Sequence, residues 1–179
     1  ILVTISGSAP LSAEVLTFLR CVLGNRVVEG YGATETSAAT ILQEYYDYTS
    51  GHVGGPMTCC DMRLEDVPDM SYLHTDKEHN GEPCIGRGEL CLRVGACVWN
   101  KEQGYNVSRG YFRHPELTKE AFDEDGFFHT GDIVMVYPNG ATKVRVDRAF
   151  HRRSSTGRRT SSSCRRASTW RRRSWRSST

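Results

Sequence analysis

The first forty residues alternate between apolar patterns typical of strands and of a helix. Residues 1–6 form an almost continuous apolar run, as in a buried strand. Apolar residues then recur at helical spacing between Ser12, a suitable N-cap, and Gly24, a common helix stop. Residues 26–29 predict a second strand. This order predicts an α/β unit that places residues 30–36 at the carboxyl end of a strand.

The pattern changes near residue 51, where glycines begin to separate short segments of alternating polarity, such as residues 61–67 and 89–94. This rhythm is typical of a β-rich subdomain. Further along, the sequence predicts a helix at residues 114–122 and then a hairpin with strands at residues 133–137 and 142–146. The predicted fold class is therefore α/β with a β-rich subdomain.

The charged residues are segregated along the chain. Its 179 residues carry 23 Lys and Arg against 21 Asp and Glu. Residues 150–179 contain 10 arginines, 9 serines and no acidic residue, which leaves 13 basic and 21 acidic residues in positions 1–149. A segment so rich in Arg and Ser cannot bury enough apolar surface to fold. We therefore predict a folded domain at residues 1–149 and a disordered basic tail at residues 150–179.

The seven cysteines include no CxxC pair and no Cys/His spacing typical of a metal site, and their odd number disfavours a closed disulfide framework. A reducing compartment is expected. The sequence has no apolar run of membrane-spanning length and no pattern of a secretory signal. We expect an intracellular location, either cytoplasmic or on the cytosolic face of an organelle membrane with peripheral association. The first apolar run lacks an initiator Met, which favours a sequence that begins inside a strand.

Six short motifs follow one another in order within residues 1–148. They are Gly7-Ser8-Ala9-Pro10-Leu11, Tyr31-Gly32-Ala33-Thr34-Glu35, Gly88-Glu89-Leu90-Cys91-Leu92-Arg93, Arg109-Gly110-Tyr111-Phe112, Asp125-Gly126-Phe127-Phe128-His129-Thr130-Gly131-Asp132 and Asp147-Arg148. Each is weak alone, but their succession resembles the adenylate-forming superfamily of acyl- and aryl-CoA ligases, luciferases and peptide-synthetase adenylation domains. Residues 7–20 and the inserted stretch 69–86 are most similar to eukaryotic long-chain acyl-CoA synthetases.

The resemblance implies an internal fragment of such an enzyme, with part of the AMP-binding domain and a β-rich subdomain shaped as a distorted barrel. The implied activity is the ATP-dependent ligation of a long-chain fatty acid to coenzyme A through an acyl-adenylate, with release of pyrophosphate. ATP or AMP, Mg²⁺ and coenzyme A are the implied cofactors and co-substrates, and the fatty acid is the implied partner.

The second motif offers groups for adenylation chemistry. An aromatic face at Tyr31 beside the small Gly32 suits a stacked adenine, and the Thr34 hydroxyl can donate to an α-phosphate oxygen. Glu35 supplies the hard oxygen that Mg²⁺ prefers, and the resemblance implies that it is the magnesium ligand. Out of context, Tyr31 could equally be a buried tyrosine at a strand end, and Thr34-Glu35 a helix-capping pair.

The remaining implied contacts lie at both ends of the motif series. A carboxylate at the mouth of a strand, as predicted for Asp132, can accept hydrogen bonds from both ribose hydroxyls. The resemblance implies that Asp132 and Arg148 both bind the ribose, and that Gly7, Ser8, Ala9 and Pro10 wall the adenine pocket. Residues 88–93 and 110–112 are assigned to packing, and His129 is expected to be structural rather than a base.

The sequence also departs from the family. Residues 1–179 contain no Gly/Ser/Thr-rich phosphate loop ending in lysine, and no C-terminal domain with its catalytic lysine. Phe150 stands where the family has a Lys or Asp hinge, and everything after Ala149 is unrelated. We infer a reading-frame slip near codon 150, because Thr169-Trp170-Arg171 can be encoded by bases that read Tyr-Met-Glu when the frame is moved. Independent resequencing that returned the same uninterrupted frame would remove this idea.

Two alternatives to a ligase fragment stay open. One is a catalytically inactive, truncated or pseudogene-derived product with at most residual nucleotide binding. The other is a cationic protein whose tail, with arginines around Trp170 and Trp175, binds nucleic acid or an anionic membrane. No folded nucleic-acid motif accompanies the tail, so no specific nucleic-acid partner is expected.

Overall fold

A computed structural model describes residues 2–94 and 106–145. The predicted site residue Arg148, residue 146 of the predicted second hairpin strand and the basic tail lie outside these residues. The described elements are β1 (Val3–Ser6), α1 (Ala13–Leu23), β2 (Arg26–Tyr31), β3 (Ile41–Leu42), β4 (Gly55–Pro56), β5 (Cys60–Glu65), β6 (Glu78–His79), β7 (Glu82–Pro83), β8 (Gly86–Val94), α2 (Pro115–Ala121), β9 (Phe128–Val136) and β10 (Thr142–Arg145).

The N-terminal α/β unit forms as predicted. The Ser12 hydroxyl accepts a hydrogen bond from the backbone N–H of Val15 at 3.3 Å, and Gly24 ends α1 in the left-handed conformation. Strands β1 and β2 are parallel. Strand β2 runs beyond the predicted residue 29 because Gly30 and Tyr31 pair with Leu42 and Ile41 of β3.

Burial of the first strand was predicted wrongly. Leu2 is 84% exposed and Ile5 is 63% exposed, and on α1 only Leu16 is fully buried while Phe18 remains 62% exposed. Strand β1 lies at the edge of its sheet, next to β2, and several apolar side chains of β1 and α1 remain exposed within the described structure. An apolar pattern predicts which side chains prefer burial, but burial itself depends on what packs against them.

A second sheet, with strand order β10-β9-β8-β5 and antiparallel pairing, confirms the predicted β-rich part. Strand β9 begins five positions before the predicted residue 133, at Phe128. Asp132 therefore lies within a strand, and its predicted position at a strand mouth is wrong. The pairing of β8 with β9 shifts register between Glu89 and Cys91. This bulge accommodates residues 130–132, which include Gly131, within β9.

The two sheets share one core, whose buried members are Ile41, Cys60, Leu90, Leu92 and Val134. The connection is reinforced by the backbone of Thr142, which donates to the Gly54 carbonyl at 2.7 Å and accepts from the N–H of Val53 at 2.9 Å. This packing brings the end of β2 close to the middle of β9. Neither described helix has the length and apolar character needed to cross a membrane.

Candidate nucleotide-binding site

Tyr31 and Asp132 come from different sheets and meet at the centre of the candidate site. The Tyr31 hydroxyl donates a hydrogen bond to Asp132 Oδ2 at 2.6 Å. The Asp132 side of this contact is held by Thr130, whose hydroxyl accepts from the Asp132 N–H at 3.1 Å and donates to the Leu90 carbonyl at 2.8 Å. Tyr31 is half-buried and Asp132 is exposed, so the carboxylate is open to a ligand.

The protonation of Tyr31 follows from its surroundings. Burial raises the pKa of the phenol, and the charge and hydrogen bond of Asp132 raise that pKa further. At neutral pH the phenol therefore stays protonated and acts as the donor, while the carboxylate accepts. The negative charge of Glu35 adds to the same effect, which places Glu35 in the electrostatic neighbourhood of Tyr31.

Gly32 allows the chain to turn away from β2. A Cβ atom added at this position would lie 1.2 Å from the carbonyl oxygen of Ala38, so no side chain fits. Ser37 and Ala38 have positive φ angles, 54° and 85°, where the loop folds back. Gly32 is thus needed for backbone packing, which positions Tyr31 and the turn after it.

The turn after Gly32 is a 3₁₀ helix, Thr34–Thr36. Thr34 is exposed and Glu35 is half-buried, whereas Thr36 is fully buried. The Thr36 hydroxyl accepts from the backbone N–H of Ala33 at 2.9 Å and lies 3.1 Å from its carbonyl oxygen. Thr36 was not predicted as a site residue; it occupies the N3 position of the turn, from which its side chain accepts from the N-cap backbone N–H of Ala33.

Glu35 is held by residues from the segment before α2. The Tyr111 hydroxyl donates to Glu35 Oε1 at 2.8 Å, and the Ser108 N–H donates to the Glu35 carbonyl at 2.6 Å. Burial, with the hydrogen bond and charge of Glu35, raises the pKa of Tyr111 to about 12. The assignment of residues 110–112 to packing alone was therefore incomplete, because Tyr111 also orients the predicted magnesium ligand.

The loop after β1 lies beside β2 but remains exposed. A Cβ at Gly7 would sit 3.3 Å from the Gly30 carbonyl, and the Leu11 N–H donates to the buried Glu29 carboxylate at 3.0 Å. These contacts anchor the loop next to the strand that carries Tyr31. Ser8, Ala9 and Pro10 between them are exposed, with Ser8 at a φ of 72°. Their predicted role as an adenine wall stays a prediction.

Glu89 supports the strand that carries Asp132. Its side chain is buried, and Oε1 accepts a hydrogen bond from the Gly131 N–H at 3.0 Å. The assignment of residues 88–93 to packing alone was incomplete here too, since this carboxylate fixes the backbone next to Asp132. His129 lies between Glu89 and Asp123, at 3.4 and 3.5 Å, and away from open solvent.

Comparison with known proteins places this arrangement in a family. Residues 1–112 match the AMP-binding enzyme family. The chain belongs to that family. The AMP-binding match covers both Tyr31 and Glu35 and extends to the Tyr111 segment, but it ends before Asp132.

Curated relatives of this AMP-binding chain are fatty acid ligases. It is 43% identical over 147 residues to long-chain-fatty-acid–CoA ligase 1 of Cavia porcellus, which covers 82% of the chain and 18% of the relative. It is 44% identical over 144 residues to fatty acyl-CoA synthetase A of Dictyostelium discoideum, covering 80% of the chain and 19% of the relative. The predicted resemblance to long-chain acyl-CoA synthetases is confirmed. The chain spans about a fifth of the length of these curated relatives.

Solved structures of adenylate-forming enzymes share the fold of the AMP-binding chain. Apo MatB from Rhodopseudomonas palustris is 32% identical with a TM-score of 0.58, covering 79% of this chain and 25% of the other. The A-PCP didomain of carboxylic acid reductase from Segniliparus rugosus, in complex with AMP, is 31% identical with a TM-score of 0.56, covering 79% and 16%. The predicted mixed α/β adenylate-forming fold is confirmed.

Proposed function

We propose that this chain supplies the adenosine-binding part of a long-chain fatty acid–CoA ligase. The observation that carries the proposal is the meeting of Tyr31 and Asp132 beside Glu35, which joins residues from two sheets in one polar cluster. Two comparisons support this proposal. The curated relatives are named as fatty acid–CoA ligases, and one structural relative was solved in complex with AMP. Fatty acid, ATP and coenzyme A would be the substrates of the parent enzyme.

Each group in the cluster has a role that its chemistry supports. The exposed Asp132 carboxylate would accept hydrogen bonds from the ribose hydroxyls, and the Tyr31 ring would stack against adenine. The exposed Thr34 hydroxyl would donate to the α-phosphate. Arg148, Gly7 and the loop that follows Gly7 complete the set of nucleotide contacts that we propose.

Glu35 fits the Mg²⁺ that adenylation requires. Its carboxylate is half-buried and only Oε1 is used by the Tyr111 hydrogen bond, while hard carboxylate oxygens are what Mg²⁺ prefers. The ion, when bound with the nucleotide phosphates, would neutralise charge as pyrophosphate leaves. The role of the chain's own residues is to orient: Tyr111 fixes Glu35, and Thr36 fixes the turn that carries it.

We propose nucleotide binding without turnover for residues 1–179, because the sequence holds neither the lysine-ended phosphate loop nor the C-terminal lysine of the family. The nucleotide-binding unit would be residues 1–149, without residues 150–179. Release of pyrophosphate by the purified chain would contradict this expectation.

The test is a calorimetric titration of the full chain with a non-hydrolysable acyl-adenylate analogue at low and moderate salt. We expect binding that changes little with salt and weakens at least tenfold in Asp132→Ala, which corresponds to the loss of about 1.4 kcal/mol. The matched control is Asp69→Ala, which removes an exposed carboxylate from the 3₁₀ helix Pro68–Met70. Equal weakening in both variants, or no binding by the wild type, would count against the proposal.

The same experiment separates the alternative functions. A truncated or pseudogene-derived product with at most residual nucleotide binding would give little or no heat with the analogue. A cationic tail protein would bind RNA with a steep salt dependence, and deletion of residues 150–179 would abolish that binding.

A further inference from the structure

A second cluster of potential ligands lies between β8 and β9. The ligand atoms of Glu89, Cys91 and His129 all lie within 4.8 Å of one another. Cys91 is fully buried, and the side chains of Glu89 and His129 are 8% and 10% exposed. Residues 89 and 91 come from one strand and residue 129 from its neighbour, so the sequence shows no compact Cys/His motif.

The spacing between Glu89 and His129 suits a shared ion better than a charge-assisted hydrogen bond, while the spacing between Cys91 and His129 suits either an ion or a hydrogen bond to sulfur. His129 Nδ1 lies 3.4 Å from Glu89 Oε2 and 3.4 Å from Cys91 Sγ. A charge-assisted bond from imidazolium to carboxylate is shorter, about 2.7–2.9 Å. Two ligands of a tetrahedral Zn²⁺, bonded at about 2.0–2.3 Å, are themselves separated by about 3.3–3.6 Å. Both distances from the histidine nitrogen fall in that interval.

The surrounding hydrogen bonds leave Glu89 Oε2 and His129 Nδ1 available to an ion, while Cys91 Sγ also contacts the Glu89 carbonyl oxygen at 4.0 Å and the Arg63 side chain. Glu89 Oε1 accepts a hydrogen bond from the Gly131 N–H at 3.0 Å, so Oε2 is the oxygen available to bind a metal ion. The other ring nitrogen of His129, Nε2, lies 3.5 Å from Asp123 Oδ2. Asp123 is itself held by the Phe127 N–H at 2.8 Å. A histidine backed by a carboxylate is a common outer shell of protein zinc sites, where it orients the ring for coordination.

We propose that Glu89 Oε2, Cys91 Sγ and His129 Nδ1 bind a divalent cation of the Zn²⁺ class, with water as the fourth ligand. A thiolate, an imidazole and a carboxylate match zinc, whereas the single hard carboxylate of Glu35 matches Mg²⁺. The two sites therefore differ in the metal they select.

The charges of the cluster are compatible with such an ion. Coordination replaces the S–H bond of Cys91 by an S–metal bond and releases the proton to solvent. Together the thiolate and the Glu89 carboxylate then neutralise the two positive charges of the ion. The guanidinium of Arg63 lies close enough to the Cys91 thiol for its positive charge to favour the thiolate. Arg63 is itself paired with Asp123 at 2.5 Å, which limits its repulsion of the metal.

The test is a Co²⁺ titration of the full chain, followed by absorbance, because a thiolate ligand to Co²⁺ produces a charge-transfer band in the near ultraviolet. We expect one Co²⁺ per chain, with a band that Zn²⁺ abolishes by displacement. Cys91→Ala should lose the band. Cys84→Ala, which removes another buried thiol remote from His129, should keep it. Absence of the band in the wild type, or its persistence in Cys91→Ala, would overturn the proposal.

A second variant keeps the proposal testable if Cys91→Ala fails to fold. Glu89→Gln keeps the shape and the acceptor for Gly131 but removes the anionic ligand. We expect the affinity for Zn²⁺ to fall at least tenfold, measured by competition with a chelating dye, while circular dichroism stays that of the wild type. Unchanged affinity in a folded Glu89→Gln protein would exclude Glu89 as a ligand and overturn the three-residue site.

Discussion

Tyr31 and Asp132 are 101 positions apart in sequence, and the hydroxyl of the first lies 2.6 Å from the carboxylate of the second. The contact joins the last residue of β2 to the middle of β9, and therefore the two sheets. Because Asp132 is exposed, a ribose can reach its carboxylate while the tyrosine still holds it. In the proposed site, this hydrogen bond fixes the orientation of the carboxylate before a nucleotide arrives.

The Tyr31–Asp132 contact should be measurable as a coupling between two substitutions. Tyr31→Phe removes the donor of this hydrogen bond and Asp132→Ala removes the acceptor, so a double-mutant cycle should give a coupling of about 1 kcal/mol in the free energy of unfolding. Urea denaturation of the four proteins checks this value. Strictly additive effects would show that the two side chains do not interact in solution.

Gly32→Ala should be one of the most damaging substitutions of a small residue. The new Cβ would lie 1.2 Å from the Ala38 carbonyl oxygen, so the backbone must move. We expect a loss of more than about 2 kcal/mol of stability and of nucleotide binding. Gly55→Ala is the control, since its Cβ would be 3.7 Å from the nearest atom outside its chain neighbours. Thermal unfolding that ranked the two variants equally would contradict the predicted clash.

Alkaline pH should destabilise the fold through Tyr111. Its pKa is raised from 10.0 to about 12 in the folded state, so the folded protein holds the phenolic proton more tightly than the unfolded chain. The resulting stability is fully present below about pH 10 and declines as pH rises toward 12. Urea midpoints between pH 9 and 12 should fall less steeply in Tyr111→Phe. Tyr46→Phe, at a 77% exposed position, is the control for the loss of a phenol as such.

Glu35→Gln should separate metal binding from nucleotide binding. The amide keeps an acceptor for the Tyr111 hydroxyl but is a much weaker ligand for Mg²⁺. We expect AMP affinity to change little, while the Mg²⁺-dependent increase in ATP affinity falls at least tenfold, about 1.4 kcal/mol. Calorimetry with and without Mg²⁺ gives both numbers. Glu124→Gln, at an exposed position, should leave the magnesium effect intact.

Thr36→Val should weaken the turn that carries Glu35. The substitution preserves shape but leaves the partly buried backbone N–H of Ala33 without its acceptor, at a cost of about 1 kcal/mol. Chemical denaturation measures the loss. Thr17→Val removes a hydroxyl from the exposed side of α1, where it donates to the Ala13 carbonyl, and should cost less than about 0.5 kcal/mol. Similar losses in both would indicate that the Thr36 hydroxyl is not a cap.

Local signals were sufficient for the first α/β unit. The Ser12 cap, the Gly24 stop and the helical spacing between them all act within a few residues, and the structure confirms each. The start of β9 was missed for the opposite reason. Thr130-Gly131-Asp132 has the composition of a turn, and the strand there is supported by Glu89, 42 positions away, which accepts from the Gly131 N–H.

For the candidate site as well, some features were predicted from the sequence and others were not. The motif order predicted that Tyr31, Glu35 and Asp132 belong together, and the structure brings them together, while their roles remain proposals. The Tyr111 contact with Glu35 joins residues 76 positions apart, and no periodicity or spacing indicates such a pair. Burial of β1 was overestimated because an apolar side chain does not specify which partner covers it.

The two sheets are held together by the shared core and by the Tyr31–Asp132 hydrogen bond. A ligand that contacted both residues would stabilise the packing of the two sheets against each other, by an amount that increases with its concentration and affinity. Amide protons of β2 and β9 would then become protected in parallel as the ligand concentration rises, although the two strands are not hydrogen-bonded to each other.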